Sequence, residues 1–98
     1  MQNYKFKSKV WLYPGVAAWH FVTLPQTLSK RIKTTFAGLE RGFGSFPVEV
    51  SIGANSWRTS IFPDKKAGSY LLPLKAIVRK KEFIKAGQTI TVSIKIEV

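Results

Sequence analysis

The stretch Val48–Pro63, VEVSIGANSWRTSIFP, decides how this chain folds. Val48, Val50 and Ile52 alternate with Glu49 and Ser51, the pattern of a strand with one buried face. Gly53-Ala54-Asn55 breaks the run where the chain reverses, because Gly and Asn tolerate the positive φ of tight hairpins. On the return, Trp57, Thr59 and Ile61 share one face and Arg58, Ser60 and Phe62 the other. Pro63 has no amide donor and is expected to stop the ladder. A lone hairpin is barely stable in water, so the remaining elements are expected to cover this one.

Before it, Tyr4–Tyr13 (YKFKSKVWLY) reads as a long first strand. Tyr4, Phe6, Ser8, Val10 and Leu12 form one face; Lys5, Lys7 and Lys9 form the other, followed by Trp11 and Tyr13. Its start is expected to be half solvated and its end buried on both sides. The three lysines suit a strand edge protected against sheet-to-sheet aggregation, or an anion. Pro14-Gly15 turns the chain into Val16–Leu24 (VAAWHFVTL), apolar on both faces as a central strand is, and Pro25 ends it. From Gln26 to Phe36 the period lengthens: Leu28, Ile32 and Phe36 make the stripe of a short amphipathic helix.

After the hairpin, Asp64–Gly68 is a polar turn and Ser69–Leu72 a short strand. Pro73 is expected to open a second helix running into Arg79-Lys80-Lys81, whose charges suit a helix C-terminus. Ala86-Gly87 makes the last turn. Thr89–Val98 (TITVSIKIEV) then alternates without fault, with Ile90, Val92, Ile94, Ile96 and Val98 inward. About six strands, two short helices and short turns imply a mainly β fold, a small barrel capped by helices.

Ninety-eight residues with a 45% hydrophobic share suit one globular domain. No apolar run approaches the roughly 18 residues of a membrane span. The basic start, MQNYKFKSKVWLYPG, leads into no continuous apolar segment, so no signal peptide and a cytoplasmic location are expected. The absence of cysteine excludes disulfides and thiolate metal sites.

Little here points to catalysis. The single histidine, His20, sits between Trp19 and Phe21, and the five carboxylates are scattered without metal-ligand spacing. Gly42–Pro47 (GFGSFP) is glycine-rich but precedes a strand and lacks the Gly-Lys-Ser/Thr of a phosphate loop. No enzyme activity, metal or cofactor is expected.

Binding is the better expectation. Sixteen Lys+Arg against five Asp+Glu give a net charge of +11, which favours a polyanion, nucleic acid above all. The expected contacts are Lys30, Arg31 and Lys33 on the first helix, Arg79, Lys80 and Lys81 on the second, and Arg58 on the hairpin. If both helices cap the same side, these charges merge into one patch. The alternative is a small-molecule or peptide pocket near Trp19, His20, Trp57, Arg58 and Ser60, or a protein-interaction domain. A monomer or weak homodimer without membrane attachment is expected, with most aromatic rings filling the barrel.

The segments AWHFVTLP (Ala18–Pro25), GFGSFPVEVSIG (Gly42–Gly53), WRTSIFPDKKAGSYLLPLKAIVRKKE (Trp57–Glu82) and AGQTITVSI (Ala86–Ile94) resemble a small bacterial domain-of-unknown-function family, number nineteen-oh-five. The resemblance implies a double-split β-barrel, distantly like the barrels of transition-state-regulator and antitoxin DNA-binding domains, but completed within one chain. It implies no activity. Members usually carry an acidic residue after the glycine of the final turn, where this chain has Gln88.

Overall fold

A computed structural model describes residues 3–15 and 19–98. The chain runs β1 (Asn3–Leu12), β2 (His20–Thr23), α1 (Gln26–Thr35), β3 (Phe46–Ile52), β4 (Asn55–Asp64), β5 (Ser69–Leu74), α2 (Ala76–Lys81) and β6 (Thr89–Ile96). The strands close an antiparallel barrel in the order β1-β2-β5-β4-β3-β6. Two strands are shared between its halves. The first part of β1 pairs with β6 and its last three residues with β2; most of β4 pairs with β3 and its end with β5. This is the split barrel that the resemblance implied.

The β3–β4 hairpin forms as the alternation demands. Ile52 and Asn55 face each other across Gly53-Ala54, and Gly53 sits at φ +57, as a two-residue turn with glycine first requires. Val48, Val50, Ile52 and Ile61 enter the core beside Val92, Ile94 and Ile96 of β6. Phe46 is fully buried, its ring centroid 6.0 Å from that of Phe36 and 5.8 Å from that of Tyr70. Ile32 of α1 is buried, while Leu28 and Phe36 pack half-buried against the core, as the stripe predicted.

Two prolines depart from expectation. Pro63 does not end the ladder; it lies within β4, opposite Tyr70. Pro73 does not open α2; it lies within β5, opposite Phe21, and the helix begins three residues later behind Lys75. The reason is common to both. β3 pairs with β4 only as far as Ile61, and β4 pairs with β5 only as far as Leu71, so each proline has one unpaired flank. A strand tolerates a missing amide at such an edge.

Two smaller corrections follow the same logic of local cover. Leu12 and Tyr13 are exposed, because β1 runs past the covered part of the barrel. Val98 lies beyond the end of β6 and is exposed rather than inward. Among the described residues the second strand is limited to His20–Thr23; the expected strand over 16–18 lies outside them.

The end of α2 carries a strained residue with a structural cause. Glu82 N–H donates to Val78 O and Ile84 N–H to Arg79 O, which leaves Phe83 between them in the left-handed region at φ 55. Glycine normally takes this place in such a cap. The Phe83 ring is exposed, so little packing opposes its removal. Phe83→Gly is expected to stabilise the fold by about 0.5–1 kcal/mol, since a left-handed L-residue costs about 1–2 kcal/mol and glycine's extra unfolded freedom returns part of it. Thermal unfolding should shift up by a few degrees; a lower melting temperature would show that the ring packs after all.

Candidate functional site

The cationic residues singled out in the sequence do not form one patch. α1 docks at the β4–β5 turn, where Gln26 Nε2 donates to Ala67 O at 2.9 Å. α2 ends at the β3–β4 turn, where Asn55 Nδ2 donates to Glu82 Oε2 at 2.5 Å. These turns lie at opposite ends of β4, whose 10 residues span up to roughly 30 Å. Lys30, Arg31 and Lys33 are therefore at one end of the barrel, and Arg79, Lys80 and Lys81 at the other. A separation of this order is several Debye lengths at physiological salt, so the clusters act independently. Arg58 belongs to neither. Its Nε lies 3.0 Å from Glu97 Oε1, and Glu49 faces it across the hairpin, so its charge is already met.

The barrel's exterior is not only cationic. On β1 the outward residues Lys5, Lys7 and Lys9 run directly into Trp11, and Tyr13 follows just past the end of the strand. Trp11 stands opposite Phe21 of β2, their ring centroids 5.2 Å apart. Tyr13 lies 6.0 Å from Phe21 and 6.4 Å from Trp19, and Trp19 is 6.4 Å from Phe21. Four rings thus form a continuous outer cluster. Trp11 Nε1 donates to Thr23 Oγ1 at 2.9 Å, which fixes the first of them. Trp19 is 58% exposed, far more than a ring serving as core filling. The expectation that most rings would fill the barrel holds for Phe6, Phe46 and Tyr70 and fails for this cluster.

Beyond Phe21 and the open flank at Pro73 lies a groove of about 710 Å³. Trp19, His20, Phe21, Phe62 and Pro73 form its apolar body, and Lys75 and Arg79 reach it from α2. Arg79 is steadied by its Nε–H, which donates to Leu74 O at 3.2 Å. The groove gathers Trp19 and His20 of the expected pocket but neither Trp57 nor Ser60. Trp57 is on the inner face of β4, half-buried against the core, and its indole N–H is buried without a partner. Ser60 lies opposite Pro47 on the β3 side.

The electrostatics of this side are one-signed. β1, β2 and β5, three neighbouring strands, contain no acidic residue. Glu49 and Glu97 lie with Arg58 and Lys95 around β3 and β6; Glu82 is tied to Asn55; Glu40 and Asp64 belong to the α1 end. The lysines Lys5, Lys7 and Lys9 face Ser93, Thr91 and Thr89 of β6, which offer no counter-charge. Edge protection has a place here, since over Asn3–Lys9 β1 pairs with β6 and not with β2. It accounts for the lysines but not for the rings that continue the same face.

A second cleft, of about 540 Å³, opens at the α1 end between Lys30, Lys33, Phe43, Lys65 and the floor residues Ser29 and Tyr70. Burial, and then the nearby Glu40 carboxylate, hold the Tyr70 hydroxyl protonated beyond the usual tyrosine range. Among the described residues no group of three or more His, Cys, Asp or Glu side chains comes together to hold a metal, and no helix is long and apolar enough to cross a membrane.

Residues 6–94 match the family described as Domain of unknown function (DUF1905). The chain belongs to this family. No curated protein matches the chain. In this DUF1905 barrel the Gln88 departure has a local account: Gln88 Oε1 accepts from Lys85 N–H at 2.8 Å, closing the final turn, a role that a carboxylate oxygen fills equally.

Proposed function

We propose that the chain is a binding module for single-stranded nucleic acid, gripped on the outer face of β1, β2 and β5. One observation carries the reading: three unopposed lysines on β1 lead into a four-ring aromatic cluster built across the ends of β1 and β2. Bases stack on exposed rings regardless of sequence while cations follow the backbone, and a single strand presents both features at once. A duplex hides its base faces, so exposed rings have nothing to stack on.

A labelled 12-nucleotide strand is expected to bind at about 50 mM salt and to change the emission of Trp19. With about six phosphates contacted, affinity should fall roughly three-hundredfold by about 200 mM salt. The matching duplex should bind more weakly. Equal affinity for strand and duplex would remove the role assigned to the rings, and no binding at low salt would end the proposal.

A second reading keeps the groove and changes its occupant. Its volume of about 710 Å³ and apolar walls also suit a small molecule or peptide. A small planar ligand that saturates Trp19 emission where oligonucleotides do not would favour it.

A further inference from the structure

The cleft at the α1 end contains a residue that the fold does not need in that form. Phe43 has φ 60 and ψ 24 and is followed by Gly44 at φ 74; Ser45 N–H donates to Gly42 O at 3.2 Å. Positive φ at both central positions is the pattern of a turn that favours Asn-Gly, and an aromatic residue is costly there. Unlike Phe83, Phe43 caps no helix. Its ring makes no compensating contact, being 96% exposed.

The turn is held firmly. Gly44 N–H donates to Arg41 O, Arg41 N–H to Ser45 O, and Ser45 Oγ–H to Gly42 O. A Cβ on Gly44 would come within 3.3 Å of Pro63, so the turn rests on the β4 end and the glycine permits that approach. A strained backbone that displays a bare ring is a reason to look for a ligand.

The rest of the cleft suggests which ligand. Lys30, Lys33 and Lys65 line it and have no ion pair among the described residues. Two carboxylates line the cleft as well, Glu40 Oε1 accepting from Gly38 N–H and Asp64 Oδ1 from Lys66 N–H, so three cations against two anions leave it net positive. One rigid ring beside three unpaired ammonium groups matches a ligand with a planar face and a compact anion. We infer that this cleft binds a nucleoside 5′-phosphate, its base on Phe43 and its phosphate on Lys30, Lys33 and Lys65. The volume of about 540 Å³ is in the range of such ligands. The phosphate could belong to a free nucleotide or to the 5′ end of a strand. The cleft shares no lining residue with the groove beside Trp19 and Phe21, and the inference does not rest on the reading given for that side.

The test is an amide chemical-shift titration with AMP and, separately, with inorganic phosphate. AMP should shift the amides of Gly42–Ser45 and Ser69–Tyr70 and bind more tightly than phosphate. Phe43→Asn keeps a residue that tolerates the left-handed region, so the fold survives. It should weaken AMP roughly tenfold, about one base–ring stack, and leave phosphate unchanged. Lys33→Ala with Lys65→Ala should weaken both, whereas Trp19→Ala should weaken neither. AMP binding no tighter than phosphate, or unchanged in Phe43→Asn, would overturn the assignment. A 5′-phosphorylated hexanucleotide that binds at least tenfold more tightly than both AMP and its unphosphorylated form identifies a strand end; otherwise the ligand is a free nucleotide.

Discussion

Replacing Lys5, Lys7 and Lys9 together by glutamate is expected to reduce affinity for an unphosphorylated single strand by a thousandfold or more at about 50 mM salt, with the fold intact. The three sites account for three phosphate contacts, so the slope of log affinity against log salt should fall by about two for a single strand. Reversal also leaves three carboxylates beside a polyanion. The substitutions should cost little stability, because the side chains are exposed and face Thr and Ser rather than acids. The control is the same charge reversal at Lys30, Arg31 and Lys33, which lie at the α1 end and should change affinity for that strand no more than about fivefold. Circular dichroism establishes folding and fluorescence anisotropy gives the affinities. Equal losses from the two triple variants would mean that net charge alone draws the ligand, and the aromatic face would lose its role.

Phe46→Ala is expected to be the most damaging single truncation. Phe46 is fully buried where α1 meets the barrel, with Phe36 and Tyr70 edge-on or tilted against its ring. Removing a buried phenyl group costs about 3–5 kcal/mol, because the lost transfer energy is joined by a cavity that rigid neighbours do not fill. In a domain of this size that lowers the melting temperature by on the order of 20 °C. Phe21→Ala, on the outer face, should cost about 1 kcal/mol or less while weakening the strand complex. A melting curve in which the two substitutions cost the same would contradict the division of the rings into core and surface.

Strand phenylalanines look alike in sequence, and the contrast between Phe46 and Phe21 marks how far the sequence could be read. The hairpin, the helix stripe and β6 were legible because alternation and a four-residue recurrence are local properties, set by which side chains must avoid water. The lysine face of β1 was legible for the same reason, as was its continuation into Trp11 and Tyr13. The places of Pro63 and Pro73 were not. Whether a proline stops a strand depends on whether a neighbour needs its amide, and that neighbour is supplied by another part of the chain.

The candidate site divides along the same line. The amino-acid sequence by itself determined a basic, cysteine-free, strand-rich chain with a central hairpin, and the residue types available for binding an anion. Only the tertiary structure decided that the helix cations lie at opposite ends, that Glu97 meets Arg58, and that Trp11, Tyr13, Trp19 and Phe21 share one outer surface. The physical reason is that an aromatic strand residue satisfies its hydrophobic face equally well under a helix or beside another ring. Closure of the barrel determines which of the two it meets.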